Sequence, residues 1–119
     1  MLVERDRFKQ AIMAAMADKE MVKILDSATC RSRSVNDVIK ETGISHSTAY
    51  RKIKWMLEEN LLFTEKIEIT PDGKKFSLFR STLKSISAKY ENGRLAVEIE
   101  YNVDMLEKTA ERLFSLGSG

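Results

Sequence analysis

Ser34 to Leu62 reads SVNDVIKETGISHSTAYRKIKWMLEENLL, and the fold turns on how this stretch divides. Ser34 with Asp37 is an S-x-x-D variant of the capping box, in which each side chain satisfies a free backbone N–H at a helix start. A helix is therefore expected to begin there, with Val35, Val38 and Ile39 facing inward. Gly43 suits the left-handed position that ends a helix. Ile44 is then expected to be buried in a tight turn and Ser45 to cap a second helix. Along that helix Ala49, Ile53, Met56 and Leu57 repeat at helical spacing as a core face. Asn60 closes it, because asparagine tolerates the left-handed conformation better than most side chains. The opposite face carries His46, Ser47, Tyr50, Arg51 and Lys54, and no acid falls between Ile44 and Leu57.

Upstream, Phe8, Ile12, Ala15 and Met16 fall at helical spacing within residues 4 to 17, which predicts an amphipathic helix. Asp18 is placed to cap a second one, whose apolar stripe is Met21, Val22, Ile24 and Leu25. The N-terminal helix can pair with a copy of itself or pack on its own domain. A polar loop, SATCRSR, leads to Ser34. Downstream, Phe63 to Ile69 and Lys75 to Ser81 are strand-like runs flanking TPDGK. A two-residue turn at Asp72-Gly73 would set Ile69 against Phe76 and Ile67 against Leu78, with Lys74 and Lys75 at the tip. A second hairpin turns at Asn92-Gly93, the strongest short turn signal, and sets Tyr90 against Leu95, Ala88 against Val97 and Ile86 against Ile99. Asp104 and Glu107 then form a capping box for a last helix with Met105, Leu106, Thr109, Ala110, Leu113 and Phe114 on its apolar stripe.

The 119 residues are one domain's worth, long enough to bury roughly two-thirds of the unfolded surface. No apolar run approaches the ~20 residues of a membrane span, and MLVERDRFKQ lacks the order of a signal peptide, so a cytoplasmic protein is expected. The single cysteine, Cys30, cannot form an internal disulfide. Charge is unevenly distributed. Residues 31 to 54 hold Arg31, Arg33, Lys40, Arg51, Lys52 and Lys54 against Asp37 and Glu41, a net +4, whereas residues 95 to 119 hold Lys108 and Arg112 against Glu98, Glu100, Asp104, Glu107 and Glu111, a net −3. A basic middle and an acidic end suit one face for a polyanion and another for something else. There is one histidine, with no glycine-rich phosphate loop, nucleophile elbow or framed carboxylate pair. Neither an enzyme nor a cofactor is expected, and His46 has no neighbouring cysteine or acidic cluster with which to hold a metal.

From about Asp18 to Arg80 the chain resembles a winged helix-turn-helix DNA-binding domain of small bacterial and archaeal transcription regulators. The residues that carry this are ETGISHSTAYRKIKWMLEENLL and the hairpin ITPDGKKF. Asn60 stands where that family has glycine. The resemblance implies an α+β fold: a winged helix-turn-helix core over residues 18 to 81, an amphipathic helix within 1 to 17, an added hairpin over 82 to 102 and a terminal helix over 103 to 116. It also implies that helix 45 to 59 lies in the major groove of double-stranded DNA. His46, Ser47 and Tyr50 would then meet bases, Thr48 and Arg51 bases or phosphate, and Lys54 the backbone, with Ser45 also at the DNA-binding surface. Lys74 and Lys75 would contact phosphates or probe the minor groove from the wing over 66 to 80, with Arg31 and Arg33 as further phosphate ligands.

On its own, a helix with cations outside also fits a plain solvated face. Two functions follow: a sequence-specific regulator binding DNA as a homodimer, or a protein-interaction module that uses the winged domain as a scaffold. No effector is evident in the sequence.

Overall fold

Asp18 divides the N-terminal helical stretch in two. Its Oδ1 accepts hydrogen bonds from the backbone N–H of Glu20 at 2.9 Å and of Met21 at 3.0 Å, so α1 (Asp6–Met16) stops and α2 (Lys19–Ser27) starts afresh. The structure, a computed structural model, describes residues 1–102; the expected last helix lies outside the described residues. α3 (Val35–Thr42) and α4 (His46–Glu58) follow, then β1 (Leu62–Ile69), β2 (Lys75–Ser81), β3 (Leu83–Glu91) and β4 (Arg94–Tyr101). The strands form two antiparallel hairpins, β1-β2 and β3-β4. The result is an α+β, winged-helix-like fold with an added hairpin.

The local signals act as expected. Ser34 Oγ accepts from the Asp37 N–H at 3.1 Å, and Asp37 Oδ2 accepts from the Ser34 N–H at 2.9 Å, which completes the capping box of α3. Gly43 ends that helix at φ 75°. Nothing stands within 4 Å of where its side chain would project. Gly43→Ala therefore meets only the cost of a left-handed backbone, and we expect it to lower stability by about 1 kcal/mol and the melting midpoint by roughly 4–8 °C in a thermal melt. Asn60 is also left-handed, at φ 64°. Around it the Leu61 N–H reaches the Met56 carbonyl at 2.8 Å and the Asn60 N–H the Leu57 carbonyl at 3.2 Å, the paired bonds of a Schellman ending.

One core serves the whole assembly. Ile12 and Ala15 of α1, Ile24 of α2, Val38 of α3 and Ala49, Ile53 and Met56 of α4 are buried with Leu61, Leu62, Phe79, Val97 and Ile99. α1 thus packs on its own domain. The chain start joins the added hairpin: the Val3 N–H donates to the Val97 carbonyl at 2.8 Å and the Ile99 N–H to the Met1 carbonyl at 2.8 Å, extending β4's outer edge by a short third strand. Asn102 fastens the hairpin base, donating through Nδ2 to the carbonyls of Thr29 at 2.8 Å and Ser81 at 3.2 Å.

The second hairpin has the expected register, Tyr90 to Leu95, Ala88 to Val97 and Ile86 to Ile99. Both turn residues, Asn92 and Gly93, have positive φ, as a type I′ turn requires. The first hairpin requires a correction. Ile69 pairs with Lys75, Glu68 with Phe76, Ile67 with Ser77 and Lys66 with Leu78, one residue away from the expected register. The cause is Pro71. Its ring holds φ near −65°, which favours a type I turn over Pro71-Asp72 closed by the left-handed Gly73, a three-residue loop; of these residues only Gly73 has positive φ. The loop closes with Thr70 N–H to the Lys74 carbonyl at 2.8 Å. The apolar residues consequently divide between the two faces: Leu78 is buried and Phe76 turns the same way, while Ile67 and Ile69 face solvent. A bulge at Glu65 shifts the ladder once more.

Candidate nucleic-acid interface

α4 is held from below by three apolar side chains and one charged one. Ala49, Lys52, Ile53 and Met56 are its buried residues, at the i, i+3, i+4, i+7 spacing of an inward face. Lys52 is therefore not part of the outer basic surface. Its Nζ lies 2.6 Å from Asp18 Oδ2 and 2.8 Å from Glu20 Oε1, with the side chain 10% exposed. Asp18 thus caps α2 with one oxygen and anchors α4 with the other. The hydrogen bond from Lys52 is the main cause that holds the Asp18 carboxyl below its ordinary range, and the same bond raises Lys52.

With Lys52 turned inward, the solvent face of α4 consists of Ser47, Tyr50, Arg51 and Lys54, with His46 at its start and Glu58 at its end. The His46 and Tyr50 rings lie 4.6 Å apart between centroids, tilted by 43°, the i, i+4 neighbours of a helix surface. Ser45 occupies the N-cap position expected of it, but its hydroxyl makes no capping bond to the backbone; it donates instead to Thr48 Oγ1 at 3.0 Å. The first-turn N–H groups of α4 have no side-chain cap, and the positive end of the helix dipole points the same way as His46 and Ser47.

The wing stands across an open groove of about 1210 Å³ from this face. Tyr50, Arg51 and Lys54 line one side, Lys74, Lys75 and Phe76 the other, with Ile53 and Leu78 between them. The tip is ordered by Thr70, whose hydroxyl bonds Asp72 and accepts from the Lys74 N–H at 3.0 Å. Lys74 and Lys75 are exposed beside it. The groove also holds Asp37 and Glu68; Asp37 is engaged in the α3 cap and Glu68 faces Lys66 at 3.3 Å.

Arg31 and Arg33 are placed differently. Arg33 is 14% exposed, pairs with Glu41 at 2.5 Å and donates from Nε to the Ser27 carbonyl at 2.9 Å. Its backbone exchanges hydrogen bonds with Phe79 at 2.9 and 2.8 Å, so the loop before α3 is fastened to the wing as a one-residue strand. Arg31 is exposed, 3.8 Å from the same Glu41. The structure therefore brings Tyr50, Arg51, Lys54, Lys74 and Lys75 around one groove, leaves His46 and Ser47 exposed on the same helix outside its lining, and engages Arg33 as a strut. Sequence reasoning missed the roles of Thr70, Phe76 and Lys52; for Lys52 the signal was its spacing from Ala49 and Met56.

Among the described residues no group of three or more His, Cys, Asp or Glu side chains could hold a metal ion, and no helix is long and apolar enough to cross a membrane. No family model matches the chain, and no curated protein matches it. Among solved structures, the chain is similar to the ferric uptake regulator of Vibrio cholerae, whose crystal structure is described as revealing a structural rearrangement of its DNA-binding domains. The identity is 16%, the TM-score 0.45, and the match covers 91% of this chain and 87% of that one. A likeness of that size carries no argument about what this chain binds.

Proposed function

We propose that this chain is a sequence-specific double-stranded DNA-binding transcriptional regulator of the winged helix-turn-helix type, acting as a homodimer in the cytoplasm. One observation carries the reading: an exposed helix face bearing Tyr50, Arg51 and Lys54 stands across a groove from a wing bearing Lys74 and Lys75. Cations on both sides of one groove suit a grip on a duplex at two points. α4 enters the major groove with its N-terminal turn foremost, so Ser45, His46, Ser47 and Tyr50 meet base edges. Arg51 reads guanine or grips phosphate, and Lys54, Lys74 and Lys75 neutralise backbone charge. Thr48 and Arg31 are outer contacts. Serine and threonine are permissive readers, so the specificity is modest.

Selecting bound duplexes from a random pool at two salt concentrations tests this. Enrichment of a palindrome with half-sites about 34 Å apart is the expected result; no enrichment at either salt would overturn the reading. A second reading, a protein-interaction scaffold, is favoured by the exposed Ile67 and Ile69 on the outer wing face. It predicts retention of the chain on a protein partner and none on DNA.

A further inference from the structure

β3 offers an unpaired strand edge. Among the described residues it is hydrogen-bonded to β4 alone, whereas the outer edge of β4 is covered by the pairing of Leu2 with Glu98. The regular part of the edge runs from Ser85 to Glu91, because the ladder is irregular between Leu83 and Ser85. Along this stretch alternate residues point their N–H and C=O groups away from β4, and these groups form a template for another strand. Of these residues only Ile86 is half-buried, and Tyr90, on the same face, is 75% exposed.

The geometry points to a second copy of this chain as the occupant: two β3 edges pair antiparallel about a two-fold axis through Ala88, joining the hairpins into one four-stranded sheet. This rests on the homodimer part of the proposed function and assigns its interface. A two-fold perpendicular to a sheet keeps each side chain on its own face, so only residues of equal parity can oppose each other. Centring on Ala88 uses the whole regular stretch, Ser85 to Glu91. Ile86 then faces Tyr90 of the partner subunit, and Tyr90 faces Ile86 of the partner subunit, two aromatic-aliphatic pairs of the kind that stabilise sheets. At the axis the residue is alanine, small enough to oppose itself. Lys89 faces Ser87 of the partner subunit and is already paired with Glu91 at 3.2 Å; no like charges stand opposite each other. The Ile86, Ala88 and Tyr90 side of each hairpin comes out on the same face of the joined sheet.

The register makes the test specific. Opposed residues have Cα atoms about 4.5–5.5 Å apart, within the range a disulfide spans. In a Cys30→Ser background, Ala88→Cys is expected to crosslink to a covalent dimer on mild oxidation. Glu91→Cys, roughly 20 Å from its own copy in this register, is expected to stay uncrosslinked. Ala88→Glu places two carboxylates at the axis and should raise the dimer dissociation constant at least about fivefold, and mixing it with Ala88→Lys should restore the dimer. Circular dichroism checks that each variant is folded. A wild-type chain that sediments as a monomer at micromolar concentration overturns the inference, whether or not its β3 amides are protected from exchange. A dimer in which Ala88→Cys fails to crosslink overturns it as well. DNA binding is read separately, so either failure leaves that part of the proposed function standing or falling on its own test.

Discussion

Replacing Arg51 and Lys54 together by alanine is expected to lower affinity for the selected duplex by about two orders of magnitude. An arginine that reads guanine contributes about 1–3 kcal/mol of discrimination, and loss of a phosphate contact reduces the salt slope by roughly 0.9. The two effects separate in one titration. If Arg51 reads a base, Arg51→Ala flattens the preference among sequences, while Lys54→Ala weakens all sequences alike and flattens the salt dependence. Both side chains are exposed, so the fold should survive, and Lys23→Ala on the exposed face of α2 is the matched control. Anisotropy titration with labelled duplex gives the answer. Unchanged affinity in the double variant, with the fold intact, would end the DNA reading of this face.

Lys52→Met should produce the largest loss of stability, about 2–3 kcal/mol. It removes the cation that two carboxylates share, leaving Asp18 and Glu20 to repel each other at a partly exposed site. Breaking a fully buried pair by deleting one partner costs roughly 3–5 kcal/mol; Glu20 is partly exposed and water screens the cluster, so the lower figure applies. At roughly 4–8 °C per kcal/mol the melting midpoint falls by about 10–20 °C. The pH dependence identifies the cause. Asp18 is depressed below its ordinary value of 3.8, so its contribution is present above that value and is lost as pH falls through the folded one. Asp37, held down chiefly by the Ser34 N–H, behaves alike. Lys52 is raised above 10.5, so its share is intact below that value and is lost as pH rises through the folded one. Lys52→Met should therefore shrink the acid limb without abolishing it, since the Asp37 cap remains. A melt series between acid and neutral pH that shows an unchanged limb would remove Lys52 as its source.

Features governed by neighbouring residues were legible in the sequence. The Ser34–Asp37 box, the left-handed Gly43 and Asn60, and the Asn92-Gly93 hairpin each depend on a rule that acts within a few residues. The first hairpin misled because two turn chemistries overlapped: Asp72-Gly73 suggests a two-residue loop, but Pro71 cannot continue a strand ladder and takes the first place in a longer one. At Lys52 the residue type suggested the solvent face and the spacing suggested the core, and spacing prevailed because Asp18 and Glu20 were there to receive the charge. The Arg33–Phe79 bridge and the strand formed by Met1 to Val3 left no local mark, since each joins segments distant in sequence through backbone groups that every residue carries.

The shape of the wing loop also limits how such a chain could change in length. Residues removed from or added to Pro71–Gly73 leave Thr70 opposite Lys74 and Ile69 opposite Lys75, so such a change alters the loop and not the face on which any strand residue stands. A one-residue change inside β1 or β2 would instead turn every side chain beyond it to the other face, so changes in length belong at the tip.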